Sequence, residues 1–310
     1  MPKRILATAD IGGTNGRFAI FASTGAILDM VSEKWIPTTN LTRTQDLLNA
    51  FQDNFNINLK DLGAIVIGVA GPVSGHYGRL ANADLEINLA EANVDCPARL
   101  INDFEAQAWS CLAPCGQNAP LVAGPDKGQG VRTVIGAGTG LGVATLIPEV
   151  SGWRAIPSEG GHMAFPFIGK DEQDFHKFLC DRLNLKFARG DDTITGRGLV
   201  LLHEFLTGEK LPAKDIGAIA LGKDTPTLQW YSRLYARACR NWMLATLCTG
   251  GMWIAGGIAA QNPYTVQNKF FLDELYDAPE DYLSSFPLHL IENKSSGLWG
   301  AAYLADVLSS

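Results

Sequence analysis

No apolar run in this chain approaches the ~20 residues that a membrane-crossing helix needs, which excludes a helical membrane protein. No Cys-x-x-Cys pair occurs among the six cysteines, Cys96, Cys111, Cys115, Cys180, Cys239 and Cys248. That excludes the common zinc and dithiol spacings. Cys111 and Cys115 are spaced to share a helix face, but one pair with no nearby histidine is a poor metal set. Positive charge is in deficit: 25 Lys and Arg against 32 Asp and Glu leave a net charge of −7. An acidic balance argues against a nucleic-acid binder. The basic start, MPKRILATAD, has no leader-like core, because Asp10 interrupts its apolar run. The expectation is a cytoplasmic protein with reduced thiols and neither nucleic acid nor membrane as partner.

What is present suits a large folded core. The 310 residues are 46% hydrophobic and 18% charged, enough for one large domain or two ordinary ones. Apolar runs at 4–9 and 17–22 flank DIGGTNG and read as a glycine-turned hairpin. A third strand is expected at 30–36, and helical spacing begins at Thr44 with Leu47, Leu48, Ala50, Phe51 and Phe55. AIVIGV at 64–69 is a continuous apolar run, as a parallel strand covered on both faces requires. A short helix is expected at 89–93, then a strand at 98–101 and a helix at 104–111. Residues 114–130, rich in Gly, Pro, Gln and Asn, read as a connection. Strands follow at 132–135, 143–148 and 153–156. Helices are expected at 172–184, 198–206, 227–248 and 265–276. Strands at 252–255 and 288–291 and a last helix at 297–308 complete the pattern, an α/β layered organisation.

The pattern repeats. Placing Gly13-Thr14 over Gly138-Thr139 aligns TADIGGTNGRFAI with TVIGAGTGLGVAT, with Thr8 over Thr133 and Ala19 over Ala144. Two such hairpins, each opening an α/β segment, point to a duplicated domain whose lobes face a shared cleft. Glycine lets backbone N–H groups come close to an anion, and Thr14, Asn15 and Thr139 add side-chain donors. Asp10, just before the first turn, suits a magnesium ion held through water. A single such hairpin is more often just a turn; two matched ones, each with Thr in register, reverse that reading.

Four other stretches carry chemistry. LINDFEAQAW at 100–109 runs from strand to helix, with Asn102 and Asp103 at the junction. Asp103 is placed either to take a proton from a bound substrate or to act as the helix N-cap. Ser158 to His162 offers Glu159 and His162 in a glycine-flanked loop, fitted to adjacent hydroxyls of a polyol or to a solvated turn. Gly256-Gly257 follows an apolar strand and would let a flat ring lie on backbone, or simply turn the chain. GAIALGKD at 217–224 resembles a phosphate-binding P-loop but has Asp224 where Ser or Thr is required, and it reads as helix. His76, His176, His203 and His289 form no constellation.

In order, DIGGTN, AGP, INDF, GAGTGLG, EGGH and AGGI resemble the bacterial glucokinases of the sugar kinase, actin and heat-shock ATPase superfamily. The resemblance spans nearly the whole chain. It implies a duplicated ribonuclease-H-like (actin-like ATPase) α/β fold of two lobes with the ligand cleft between them. Residues 1–106 with 296–310 would form the small lobe and residues 107–295 the large one. Asp103 would be the catalytic base toward the 6-hydroxyl of glucose. Asn82, Asn102, Glu159 and His162 would bind the sugar. Asp10, Gly12, Gly13, Thr14 and Asn15 would form the first phosphate loop, with Asp10 on magnesium through water. Gly138, Thr139 and Gly140 would form the second, and Gly256 and Gly257 the adenosine loop.

ATP and Mg²⁺ would be the cofactors and a hexose the partner; a homodimer stays open. Two departures lie on the sugar side: no Trp follows Asn82, and Asp191 stands where the family has a second sugar-binding Glu, so that it would bind the sugar with a shorter carboxylate, reaching the first hydroxyls differently or through water. They leave open a kinase for another hexose or an amino sugar. A sugar sensor without turnover is the other alternative.

Overall fold

Every residue of Ala64–Val69 is buried, as a strand covered on both faces requires. It is the fourth strand in a computed structural model that describes residues 3–80, 83–92, 94–278 and 281–310. The chain divides into two units, Met1–Asn118 with Ser295–Ser310, and Ala119–Lys294. The limit expected at residue 106 falls inside a helix that belongs wholly to the first unit, so the division lies twelve residues later (118 − 106).

The first unit opens with β1 (Arg4–Ile11), β2 (Asn15–Ser23) and β3 (Leu28–Pro37), then α1 (Thr44–Phe55) and β4 (Ala64–Val69). Three short strands follow: β5 (Val73–Ser74), β6 (Tyr77–Arg79) and β7 (Glu86–Asn88). Then come β8 (Ala98–Asn102), α2 (Asp103–Ser110) and α3 (Pro114–Gln117). The main sheet has the order β3-β2-β1-β4-β8. β1 pairs antiparallel with β2 and parallel with β4, which pairs parallel with β8. Strands β5–β7 make a separate small sheet that sequence patterning missed. The short helix expected at 89–93 is a single 3-10 turn, Leu89–Glu91. Phe18, Phe51, Leu47 and Ile67 are fully buried in the core under α1.

The second unit contains β9 (Leu121–Ala123), β10 (Arg132–Ala137), β11 (Leu141–Glu149) and β12 (Gly152–Ser158). Helices α4 (Gly169–Leu183), α5 (Gly190–Thr193), α6 (Gly196–Thr207), α7 (Ala213–Ala220) and α8 (Pro226–Thr246) follow. β13 (Gly251–Ala255), α9 (Gly257–Gln261), α10 (Lys269–Leu275) and β14 (Leu288–Leu290) complete it. The sheet order is β12-β11-β10-β13-β14-β9. β10 again pairs antiparallel with the next strand and parallel with β13. This is the duplicated α/β plan that the sequence predicts. The connection expected at 114–130 holds α3 and β9. GAIALGKD enters from inside α7, so it is no P-loop. The helix expected at 265–276 is split: Asn268 Oδ1 accepts the N–H groups of Phe270 and Phe271 and starts α10 afresh.

The last helix, α11 (Ser296–Leu308), belongs to the first unit and packs on α2. Gly300 makes that approach possible. A Cβ there would lie 1.9 Å from the carbonyl oxygen of Ala106 and 2.6 Å from the nitrogen of Ser110. Trp299 packs edge-on to Phe21 and Tyr303 stacks on Trp109. No disulfide forms among the described residues; Cys111, Cys239 and Cys248 are buried and the other three cysteines are half-buried.

Candidate active site

In the first unit, β1 delivers Asp10 to the C-terminal end of the sheet, where its backbone pairs with Arg17 of β2. Arg17 Nη2 donates to Asp10 Oδ2 at 2.7 Å and its guanidinium lies 5.3 Å from the Trp35 ring. Burial pushes the Asp10 carboxyl above its ordinary range, and the Arg17 charge opposes that rise. The turn beyond carries Gly12, Gly13 and Thr14, and Asn15 opens β2; Gly13, Thr14 and Asn15 are exposed. Two bonds from one residue hold the turn: Thr38 Oγ1 donates to the Gly12 carbonyl at 2.8 Å and Thr38 N to the Thr14 carbonyl at 3.0 Å. Thr38 was not identified from the sequence, because its role depends on β3 returning beside β2.

At the end of β8 the capping question resolves. Asn102, not Asp103, holds the N-cap position of α2: its Oδ1 accepts Phe104 N–H at 2.9 Å, and its Nδ2 donates to the Gly71 carbonyl at 3.2 Å. Asp103 is the first helical residue, and its Oδ1 shares the Phe104 N–H at 3.0 Å. The carboxylate therefore stands at the positive end of α2 without being the group that defines the helix start. Asn82 lies outside the described residues.

In the second unit, Gly138, Thr139 and Gly140 form the turn between β10 and β11. Gly138 N donates to the Gly140 carbonyl at 2.9 Å, and Gly196 N, opening α6, donates to the Gly138 carbonyl at 3.1 Å. Ile11 pairs with Gly16, but Ala137 pairs with Leu141, so the second turn is one residue shorter. The expected match of Ala19 with Ala144 slips by one in the pairing, because the second ladder runs one residue further into the turn and the partner of Thr133 lies one residue farther on: Thr8 faces Ala19, whereas Thr133 faces Thr145. Gly256 packs against the same strand end. Its φ of +91° and a would-be Cβ 2.6 Å from the Ala137 carbonyl oxygen both demand glycine. Gly257 begins α9 and is exposed.

Glu159 and His162 bracket a 3-10 turn in which His162 N donates to the Glu159 carbonyl at 3.0 Å. Their side chains are exposed and converge, with His162 Nε2 3.4 Å from Glu159 Oε2. Gly160 lies against Trp242, where a Cβ would be 2.0 Å from the ring. Asp191 is buried on α5 and touches both His162 Nδ1 and the backbone of Leu141. Its neighbour Asp192, also buried, is clasped by Arg189 and Arg197. Burial raises the Asp192 carboxyl, but the Arg189 hydrogen bonds and the two guanidinium charges outweigh it and hold the group below 3.8. The sequence singled out Asp191 alone; the arginine clasp carries no sequence pattern beyond a local charge cluster.

A sequence model of the Glucokinase family matches residues 7–307 of the chain. A glucokinase from Caulobacter sp. is 30% identical over 313 residues, covering 94% of this chain and 92% of the relative. Among solved structures, a glucokinase from an Antarctic psychrotroph superimposes with a TM-score of 0.83 at 21% identity, covering 97% of this chain and 98% of that one. A ROK family glucokinase from Streptomyces griseus, solved with glucose and AMPPNP, gives a TM-score of 0.64 at 19% identity, covering 97% and 98%. The fold is thus that of glucokinases, the duplicated actin-like ATPase architecture.

Proposed function

The chain belongs to the glucokinase family and acts as an ATP-dependent glucose kinase, and we propose that Asp103 is the base that accepts the proton of the sugar's 6-hydroxyl as the γ-phosphoryl group transfers. The observation that carries this reading is the pair of glycine turns, one at the same sheet position in each unit. Phosphoryl transfer needs little covalent help from protein; it needs positioned oxygens, neutralised charge and a group to receive the hydroxyl proton. Gly12, Gly13, Thr14 and Asn15 and, in the second unit, Gly138, Thr139 and Gly140 offer the donors for the phosphates. Gly256 and Gly257 supply the flat backbone for adenosine. Asn102, Glu159 and His162 hold the sugar hydroxyls, and Asn102 keeps one amide hydrogen beyond those used within the first unit.

Asp10 is the residue that would hold Mg²⁺, through water. No group of three or more His, Cys, Asp or Glu gathers as a metal cage among the described residues. A single half-buried carboxylate, with one oxygen engaged by Arg17, fits a hard cation that takes most of its ligands from phosphate and water. The ion would neutralise phosphate charge. Asp103 does the proton work, and the glycine turns do the aligning.

Sugar-dependent ADP formation from Mg·ATP, with glucose, mannose, fructose, N-acetylglucosamine and no sugar, tests the reading. Strong turnover with glucose is expected. Turnover confined to another sugar would keep the chemistry and overturn the acceptor; none with any sugar, from folded protein, would favour a sensor.

A further inference from the structure

Both carboxylate oxygens of Asp191 are engaged inside the protein. Oδ1 accepts the Leu141 N–H at 2.7 Å, and Oδ2 meets His162 Nδ1. The side chain is only 8% exposed. Leu141 is the residue directly after the Gly138–Gly140 turn, and His162 closes the Glu159 loop. The backbone around the carboxylate is crowded. A Cβ on Gly161 would lie 1.8 Å from the Leu141 carbonyl oxygen and 3.1 Å from Asp191 Oδ1. One on Gly190 would lie 2.6 Å from Leu141 Cδ2 and 3.1 Å from the Gly161 carbonyl oxygen. Thr195 Oγ1 donates to the Asp191 carbonyl at 2.5 Å and pins α5 beneath it. An ionised carboxylate only accepts hydrogen bonds, so the proton of the contact belongs to His162 Nδ1. Nε2 is then the imidazole atom presented beside Glu159.

We propose that Asp191 is a positioning residue and not a sugar ligand. It fixes the His162 proton on Nδ1, turns Nε2 toward the acceptor, and ties the imidazole to the second glycine turn. The proposal rests on the sugar-site reading of Glu159 and His162. It also accounts for the short side chain: the carboxylate ends where Leu141 N–H and His162 Nδ1 meet it, with both oxygens used.

Asp191→Asn separates this role from the alternatives. Its Oδ1 can still accept the Leu141 N–H, but its amide donates toward Nδ1 and forces the proton onto Nε2, a tautomer inversion. ¹⁵N NMR of the imidazoles in alkaline buffer, with the His162 signal assigned by its loss in His162→Gln, should show Nδ1–H in the unmodified protein and Nε2–H in Asp191→Asn. The sugar KM should rise by roughly 10- to 100-fold, the scale of a lost charged hydrogen bond, with the ATP KM unchanged. In the His162→Gln background the same substitution should add little.

Nε2–H in the unmodified protein overturns the proposal without any variant. So do additive penalties in the double variant, which a direct sugar ligand or a purely structural residue would give. Failure of the glucose kinase reading would appear separately, as no sugar-dependent turnover in the unmodified protein, while the tautomer measurement still decides the Asp191–His162 contact.

Discussion

Asp103 shows how far a single residue can be read from its neighbours. LIND marks a strand end followed by a helix start, and that junction forms as expected, with Asn102 ending β8 and Asp103 opening α2. What the sequence left open was which residue caps. The carbonyl of Gly71, thirty-one residues away, decides it by accepting the Asn102 amide. If Asp103 is the base, Asp103→Asn should lower kcat by on the order of 10² to 10⁴. ATP affinity, measured by calorimetry, should stay at the unmodified level. Near-normal turnover would remove Asp103 from the role. Arg17, Thr38, Arg197 and Trp242 were not picked out because nothing local distinguishes them; each matters through a partner that only the fold brings near.

Among elements, the hairpins and the buried strand β4 were the most legible, because glycine turns and continuous apolar runs leave few alternatives. The β5–β7 sheet escaped because strands of two or three residues carry no period to detect. Helix α5, four residues long, escaped for the same reason. The return of α11 to the first unit was implied by the resemblance, but its close seating on α2 was not legible, since it depends on one missing side chain at Gly300. Gly300→Ala should destabilise the protein by about 1–3 kcal/mol, the usual cost of forcing atoms into a filled contact. Gly222→Ala, where a Cβ meets nothing within 4 Å, is the matched control and should leave the calorimetric Tm unchanged. Equal Tm values for both variants would mean that the helices separate at no cost.

For the molecule as a whole, acid stability should carry the mark of Asp192. Its folded-state carboxyl lies below the ordinary 3.8. The unfolded chain therefore takes up that proton first as pH falls. The contribution is fully present above the unfolded value and is lost as pH drops through the folded one. Asp192→Asn should accordingly be less stable than the unmodified protein at neutral pH, and the gap should shrink below about pH 4. Denaturant titrations at several pH values measure it; a gap independent of pH would mean that the arginine clasp contributes no charge term. The two-unit plan was legible because the hairpin motif recurs, but its limits were not. The resemblance implied a limit at 106, whereas α2 and α3 hold the chain in the first unit through Asn118, inside the connection that composition marked at 114–130.

The return of α11 also sets an order of assembly on the ribosome. Residues 119–294 leave the exit tunnel as an uninterrupted set and hold every strand of their own sheet. The earlier residues must wait, because the helix that covers α2 is encoded after the whole of the second unit. The unit whose synthesis begins first is therefore completed after the other, once α11 has been made.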